Sequence, residues 1–304
     1  MALMKIQPPF LRSGDEVAII SPSFWVDEKI LSEAVVFLGA WGLKVRIGKN
    51  ASMRYGPFAG NDAERLSDLQ EMTYASEIKA VFCSRGGYGL SKIINKVDFN
   101  TLRSQPKWYS GFSDVTILHT WLNEVFGVMS VHGEMTLNVK SSEKSSDTFL
   151  SLRRALFGEL TKHEWTGNFY KAGNVQGEVT GGNLSLLYSL MGTEAEITTR
   201  GKILFIEEVG EYYYHIDRML TSLKLSGKLE NLSALVIGGM SRIEDSKIPW
   251  GKSIEETVLG IVADYNYPVL FNFPAGHIAD NRAFYIGKKA RIEVSGSKAI
   301  LQYE

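Results

Sequence analysis

Apolar residues in this chain fall into two rhythms. Val17 to Ile20, Ala80 to Cys83 and Ile203 to Ile206 are unbroken apolar runs, the pattern of strands buried on both faces of a sheet. Between the first two runs the spacing changes. Ile30, Leu31, Ala34, Val35, Leu38 and Trp41 recur at helical spacing over 28–41, and Gly42 closes the stretch. Leu66, Leu69 and Met72 mark a second helix over 62–74, and further strands are expected at 43–47 and 128–132. Strand and helix alternate through the first half. That order predicts an α/β fold built on a doubly wound, largely parallel sheet.

The pattern loosens around 140–175, where KSSEKSSD is a polar run and 165–173 is rich in Gly, Asn and Thr. The expected division is an N-terminal domain over 1–150, a linker over 151–173 and a C-terminal domain over 174–304. In the second half, helices are expected over 213–225 and 253–263, with strands at 202–206, 235–237 and 268–272. The stretch 283–303 alternates and reads as antiparallel strands, with Gly296 in a turn.

Candidate chemistry sits where these elements break. In WYSGFSDVTILHTWLNEVF, residues 108–126, a strand ends at Ser110, Gly111-Phe112 turns the chain, and helical spacing begins at Asp114. A serine at the apex of a strand–turn–helix break is lifted out of the sheet. Ser113 would also lie beside a helix N-terminus, whose N–H groups favour a developing oxyanion. The plainer reading of the same pattern makes Ser113 a helix N-cap, with Asp114 in the first turn.

SRGGYG, residues 84–89, follows a strand but has Lys92 where a dinucleotide fingerprint needs its third Gly. Gly86 and Gly87 would let backbone N–H groups approach an oxyanion or carboxylate, or would simply close a tight turn. Arg85, and Arg218 further on, are candidate cations for a substrate carboxylate; each could equally sit in a surface ion pair. Glu207 and Glu208 end an apolar strand, where α/β active sites place carboxylates, and strand alternation turns one of the two away. His277 follows a strand end and a glycine, and His132 ends a strand in HGEM. His119 within the Ser113 helix reads as structural. His163 falls in the expected linker and His215 near a helix start, while Cys83 reads as a small core hydrophobe.

Ser113, one of the two glutamates and His277 would together make a Ser–His–acid acyl-transfer set. Their chain order is that of α/β-hydrolases, but Val115 stands where the G-x-S-x-G elbow has its last glycine. Spacing alone does not assemble them.

Composition narrows the field. The 304 residues carry 33 basic and 34 acidic side chains, a net charge of -1, without the basic face that nucleic-acid or membrane-surface binding uses. One cysteine excludes an internal disulfide and a Cys-based zinc cluster. No HExxH or similar spacing points to a metal, and no cofactor motif is complete. No segment reads as a signal or a membrane span, so a soluble protein of a reducing compartment is expected.

Seven stretches, in order, resemble the LD-carboxypeptidase family of serine peptidases, which also includes the microcin C self-immunity proteins. They are LRSGDEVAIISPS, SRGGYG, YSGFSDVT, HGEM, GGNLSLLYSLMGT, LFIEEVGEYYYHIDRML and GHIADNR. The resemblance implies Ser113 as nucleophile, Glu207 as triad acid and His277 as general base, with an oxyanion hole from the N–H groups of Gly87 and Asp114. It implies an N-terminal domain of class I glutamine-amidotransferase-like type, a swivelling β-containing C-terminal domain, and a homodimer. The implied activity is release of the terminal D-Ala from a murein tetrapeptide during cytoplasmic recycling, with Arg85, Gly86, His132 and Arg218 near the substrate and no cofactor. Two alternatives remain at this level: cleavage of an aminoacyl-nucleotide amide, with Trp25, Tyr55, Trp250 or Tyr212 to Tyr214 as a base platform, and silent muropeptide binding. HGEM carries Glu134 where the family pattern has Pro.

Overall fold

The computed structural model describes residues 4–171 and 173–304. Residues 1–3, at the start read above for a signal, and residue 172, in the expected linker, lie outside the described residues.

The first unit comprises residues 4–160 together with Ala279–Gly287. Its strands are β1 (Glu16–Ile20), β2 (Lys44–Ile47), β3 (Ile78–Cys83), β4 (Trp108–Gly111) and β5 (Ser130–His132), all paired in parallel. Helix α1 (Glu28–Gly39) starts at Asp27, whose carboxylate accepts the Lys29 N–H. Helix α2 (Asp62–Tyr74) starts with a capping box between Asn61 and Glu64. Both therefore begin where a side chain satisfies an orphan N–H. Val17 to Ile20 and Ala80 to Cys83 are fully buried, because helices cover both faces of a parallel sheet.

Beyond Ser113 the expected single helix is divided. A 3-10 turn, Ser113–Val115, leads into α3 (Thr116–Thr120), which widens into a π turn over Trp121–Phe126. SRGGYG runs into two short 3-10 turns, Leu90–Lys92 and Ile94–Lys96.

The domain boundaries need correction. Of the expected linker over 151–173, residues through Phe157 belong to helix α4 (Ser146–Phe157), which buries Leu152, Ala155 and Leu156 against the first unit. The remainder holds β6 (Lys162–Thr166) and β7 (Phe169–Tyr170), both in the second sheet. The polar run before α4 hides its apolar face from a compositional reading.

The second unit comprises Thr161–Ile278 and Lys288–Glu304. Its sheet continues with β8 (Val175–Asn183), β9 (Ile203–Val209), β10 (Ala234–Ser241) and β11 (Val269–Leu270), which pair in parallel. Helices α5 (Leu184–Ser189), α6 (Tyr213–Leu225) and α7 (Ile254–Ile261) contribute apolar residues such as Leu187, Leu220 and Val258 to one core with Leu204, Ile206 and Leu235. At about 25 cal/mol per Å2 of apolar surface, such side chains contribute roughly 1.5–3 kcal/mol each.

The expected antiparallel tail is also split. β12 (Phe284–Ile286) joins the first unit's sheet, antiparallel to β5, with Phe284 opposite His132. β13 (Lys289–Ser295) and β14 (Lys298–Tyr303) form a hairpin in the second sheet, between β8 and β6.

Candidate active site

Ser113 follows β4 by two residues and has φ of 63°. This left-handed value is one that a non-glycine residue adopts at a cost of order 1–3 kcal/mol, and it is sustained by surrounding structure. The N-cap of the turn is Phe112 and that of α3 is Val115, neither with a side-chain capping bond, so Ser113 lies inside the turn rather than at its cap. A side chain at Gly111 would lie 2.7 Å from Val115 Cγ2. The chain can turn this tightly because position 111 has none.

Two neighbours pin the elbow from behind. The Gly111 carbonyl accepts the Gly133 N–H at 3.0 Å and sits 2.9 Å from His119 Nε2. A carbonyl only accepts, so His119 carries its proton on Nε2. Burial pushes its pKa down to about 4, which keeps the ring neutral. Asp114 is buried and accepts the Ser23 hydroxyl at 2.5 Å and the Leu90 N–H at 3.0 Å. Burial raises its pKa, opposed by those two bonds and the charge of Arg65.

The glycine turn lies beside the serine. A Cβ built on Gly86 would come 3.0 Å from Ser113 Cβ and 3.1 Å from its Oγ. Gly87 has φ of 108° and is exposed. Among the described residues, neither the Gly87 nor the Asp114 N–H has a protein acceptor. Arg85 gives Nη1 to the Trp25 carbonyl at 3.0 Å. In this unit the structure therefore brings together Ser113, Gly86 and Asp114.

His132 is placed differently from the expectation that it lines a substrate site. It is fully buried in β5, its ring stacked on Phe284 with centres 4.5 Å apart. Pairing with β12 encloses this strand end. Glu134 is buried too, ion-paired to Lys144 at 2.7 Å and accepting Asn138 and Asn281 amides. A cavity of about 840 Å3, lined by Phe10, Arg12, Ser76 and Lys79, lies near the N-terminal ends of the strands, at the opposite end from Ser113.

In the second unit, Glu207 and His277 form a bonded pair. Glu207 Oε2 lies 2.7 Å from His277 Nδ1 and accepts the His277 backbone N–H at 3.1 Å. With the carboxylate accepting, Nδ1 carries a ring proton, so the basic nitrogen of the neutral tautomer is Nε2. Glu207 is fully buried, while the His277 side chain is 18% exposed. Gly276 permits this approach. Its φ is 108°, and a Cβ there would lie 2.8 Å from Glu207 Cβ.

The loop bearing His277 is tied to β10. Gly239 N–H donates to the Ala275 carbonyl at 2.8 Å, and Ser241 Oγ to the His277 carbonyl at 2.9 Å. The register of β9 and β10 shifts between Ile237 and Met240, an irregularity of the kind that interrupts regular pairing at a strand end. A cavity of about 480 Å3 opens there, lined by Gly238, Gly239, Ser253, Phe271 and Ile278.

Glu208 is not the solvated strand end that alternation allows. It is buried, accepting the Ser185 N–H at 2.7 Å, the Val209 N–H at 2.8 Å and Asn183 Nδ2 at 2.9 Å. Burial raises its pKa, the bonds opposing. Asn183 also reaches Glu207 Oε1 at 3.2 Å. Sequence reading missed this amide, as it missed Ser23 and the role of His119; the paired register of Asn183 and Glu207 is the signal, and it needs the sheet. Arg218 is exposed on α6, 5.3 Å from the Tyr214 ring centre, and makes no contact with Glu207 or His277 among the described bonds. No group of three or more His, Cys, Asp or Glu among the described residues is arranged to hold a metal. No helix among them is long and apolar enough to cross a membrane.

Comparison with known proteins agrees with this picture. Residues 17–133 match the LD-carboxypeptidase N-terminal domain and residues 176–292 the LD-carboxypeptidase C-terminal domain. A probable murein peptide carboxypeptidase of Bacillus subtilis is 36% identical, over 98% of this chain and 95% of its own length. A murein tetrapeptide carboxypeptidase of Pseudomonas aeruginosa is 29% identical over 91% and 92%. The crystal structure of a muramoyltetrapeptide carboxypeptidase from Oxalobacter formigenes superposes with a TM-score of 0.87 at 28% identity, covering 95% of this chain and 98% of that one. A microcin C7 self-immunity protein in complex with aspartyl sulfamoyl adenosine shares the fold, with a TM-score of 0.89 at 21% identity and coverage of 98% and 99%. With both domain models matched in order and a relative this similar along the whole chain, the protein belongs to the LD-carboxypeptidase family and is a serine-type carboxypeptidase.

Proposed function

We propose that this enzyme removes the C-terminal D-Ala of a murein tetrapeptide by a Ser113–His277–Glu207 mechanism. The observation that carries the catalytic reading is the Glu207–His277 pair, whose geometry leaves His277 Nε2 as the basic atom. Ser113 Oγ attacks the scissile carbonyl while Nε2 takes its proton, and Glu207 holds the tautomer and stabilises the imidazolium. The tetrahedral oxyanion is met by the N–H groups of Gly87 and Asp114. Collapse expels D-Ala, which receives the proton from His277. Water, activated by the same nitrogen, then hydrolyses the acyl-enzyme.

Arg85, beside Gly86, meets the substrate's terminal carboxylate, a charge too costly to bury without a cation or several donors. The substrate class is supported by the names of the Bacillus and Pseudomonas relatives. The same reading assigns the enzyme to cytoplasmic recycling, as a homodimer. The test is incubation with a murein tetrapeptide and mass spectrometry of the products. Release of one alanine is expected; turnover of an aminoacyl-nucleotide amide with the tetrapeptide left intact would overturn the substrate assignment.

A further inference from the structure

We infer that the surface next to Ser113 also carries a site for a second substrate carboxylate, internal to the peptide and separate from its C-terminus. This rests on the carboxypeptidase reading above. Three loops of the first unit are bonded together there. The Phe24 N–H donates to the Gly86 carbonyl at 3.2 Å and the Trp25 N–H to the Pro57 carbonyl at 3.1 Å. Phe24 meets Phe58 edge to face, with ring centres 5.9 Å apart. The result is a small aromatic shelf, joined to Ser113 through Gly86.

Cations lie over each ring of this shelf. The Arg54 guanidinium carbon is 4.4 Å from the Trp25 ring centre, that of Arg85 is 5.6 Å from Phe24, and Lys92 Nζ is 5.3 Å from Phe58. Among the described residues, none of the three is ion-paired with a carboxylate. By contrast, the buried Arg65, also over Phe58, has Asp62 at 2.6 Å. A guanidinium over an aromatic face is held by the ring while its N–H groups can still donate to a carboxylate. Arg85 reaches the carbonyl of the same Trp25 whose ring lies under Arg54. Two guanidiniums thus share one anchoring residue, one near Gly86 and one further out.

That arrangement suits a ligand with two negative groups. Arg85 takes the terminal carboxylate; Arg54, with Lys92, takes the internal one. Murein peptides carry such a group because their glutamate is linked through its side-chain carboxyl, which leaves its α-carboxylate ionised within the chain.

Binding is separated from turnover by using Ser113→Ala protein, titrated calorimetrically with murein tetrapeptide and with an analogue whose internal carboxylate is an amide. The amide is expected to bind about tenfold more weakly, the scale of one charge-assisted contact. Adding Arg54→Gln should remove most of that preference, and Lys92→Gln part of it. In the active enzyme, Arg54→Gln should raise KM about tenfold and leave kcat within about twofold. Equal affinity for acid and amide, or equal losses for both on Arg54→Gln, would overturn the inference. So would adenosine monophosphate binding more tightly than the tetrapeptide, which would assign the shelf to a nucleotide. The two readings fail separately. Alanine release with no effect of amidation sinks the carboxylate site alone. Discrimination of acid from amide without alanine release by wild type sinks the proposed reaction and leaves the site standing. Binding of neither peptide overturns both.

Discussion

Ser113 is held through its backbone, at a left-handed φ of 63°, whereas His277 is held through its side chain, by a carboxylate oxygen that also takes its backbone N–H. The two regions are supported differently as well. Behind Ser113 stand a neutral histidine, a buried aspartate and a residue without a side chain, all acting on main-chain groups around the turn. Behind His277 stands a polar chain in which Asn183 links Glu207 and Glu208. One torsion, χ1, separates a serine oxygen from its backbone, so fixing the backbone limits that oxygen to three staggered positions. An imidazole must also have its tautomer chosen, and only a hydrogen-bond partner does that.

The largest expected effect is on the serine. Ser113→Ala should lower kcat by about 1,000-fold or more while leaving the melting temperature unchanged, since triad removal acts on chemistry rather than on packing. Steady-state kinetics and thermal melts check this together. A loss of only a few-fold would remove Ser113 from the nucleophile's role.

Next comes the contrast between the adjacent acids. Glu207→Gln should lower kcat by roughly 100-fold or more, because an amide no longer selects the tautomer. Glu208→Gln should act mainly on stability, by about 1–3 kcal/mol, since its buried carboxylate accepts from two half-buried backbone N–H groups and the Asn183 amide. Urea denaturation and kinetics on both variants decide it. If Glu208→Gln is the change that destroys turnover while Glu207→Gln is silent, the triad acid is misassigned.

A pH experiment sharpens the serine side. The folded pKa of His119 is lowered from 6.5 to about 4. Between those values the unfolded chain holds a proton that the folded protein does not, so this group makes stability rise with pH and withdraws it as pH falls. The full contribution is on the order of 3 kcal/mol at most. Asp114 and Glu208, whose pKa values burial raises, act with the opposite sign in the acid range. The difference between wild type and His119→Gln isolates the histidine's share. A difference independent of pH from 4 to 7 would refute the buried neutral ring.

The smallest effect is the most specific to backbone positioning. Ser113→Gly should raise stability by about 1 kcal/mol, despite losing the hydroxyl, because glycine accepts the left-handed conformation without strain. Destabilisation in urea titrations would mean that the side chain, not the backbone, anchors the turn.

These contrasts explain what could be read in advance. Periodic burial announces itself, so β1, β3, α1, α2 and α6 lie close to where their apolar spacing puts them. Glu207, Glu208 and His277 stand at strand ends that apolar runs reveal, but that Glu207 is the partner of His277 came from resemblance, since both acids follow the same run. A serine's φ leaves no trace in composition, so the same residues fit a cap or an elbow. Helix α4 was obscured by the Lys- and Ser-rich run ahead of it. The burial of His132 was hidden for a different reason: FYI at 284–286 is an apolar run that fits either sheet, and only its pairing with β5 encloses the histidine. Asn183 and Ser23 act across long sequence separations, which spacing does not encode.

The return of Ala279–Gly287 to the first unit has a consequence for how the chain is made. A ribosome that has finished residue 160 has delivered five of that unit's strands but not β12, so β5 waits as an uncovered edge and His132 waits without Phe284. Nearly the whole second unit is synthesised before the missing strand emerges, and the β13–β14 hairpin follows later still. Neither sheet can be completed from an N-terminal fragment. A nascent chain stalled or cut between the two units would therefore expose an unpaired strand edge, the template on which chains associate wrongly, and separating the halves for expression would need residues 279–287 supplied in trans or moved to the end of the first.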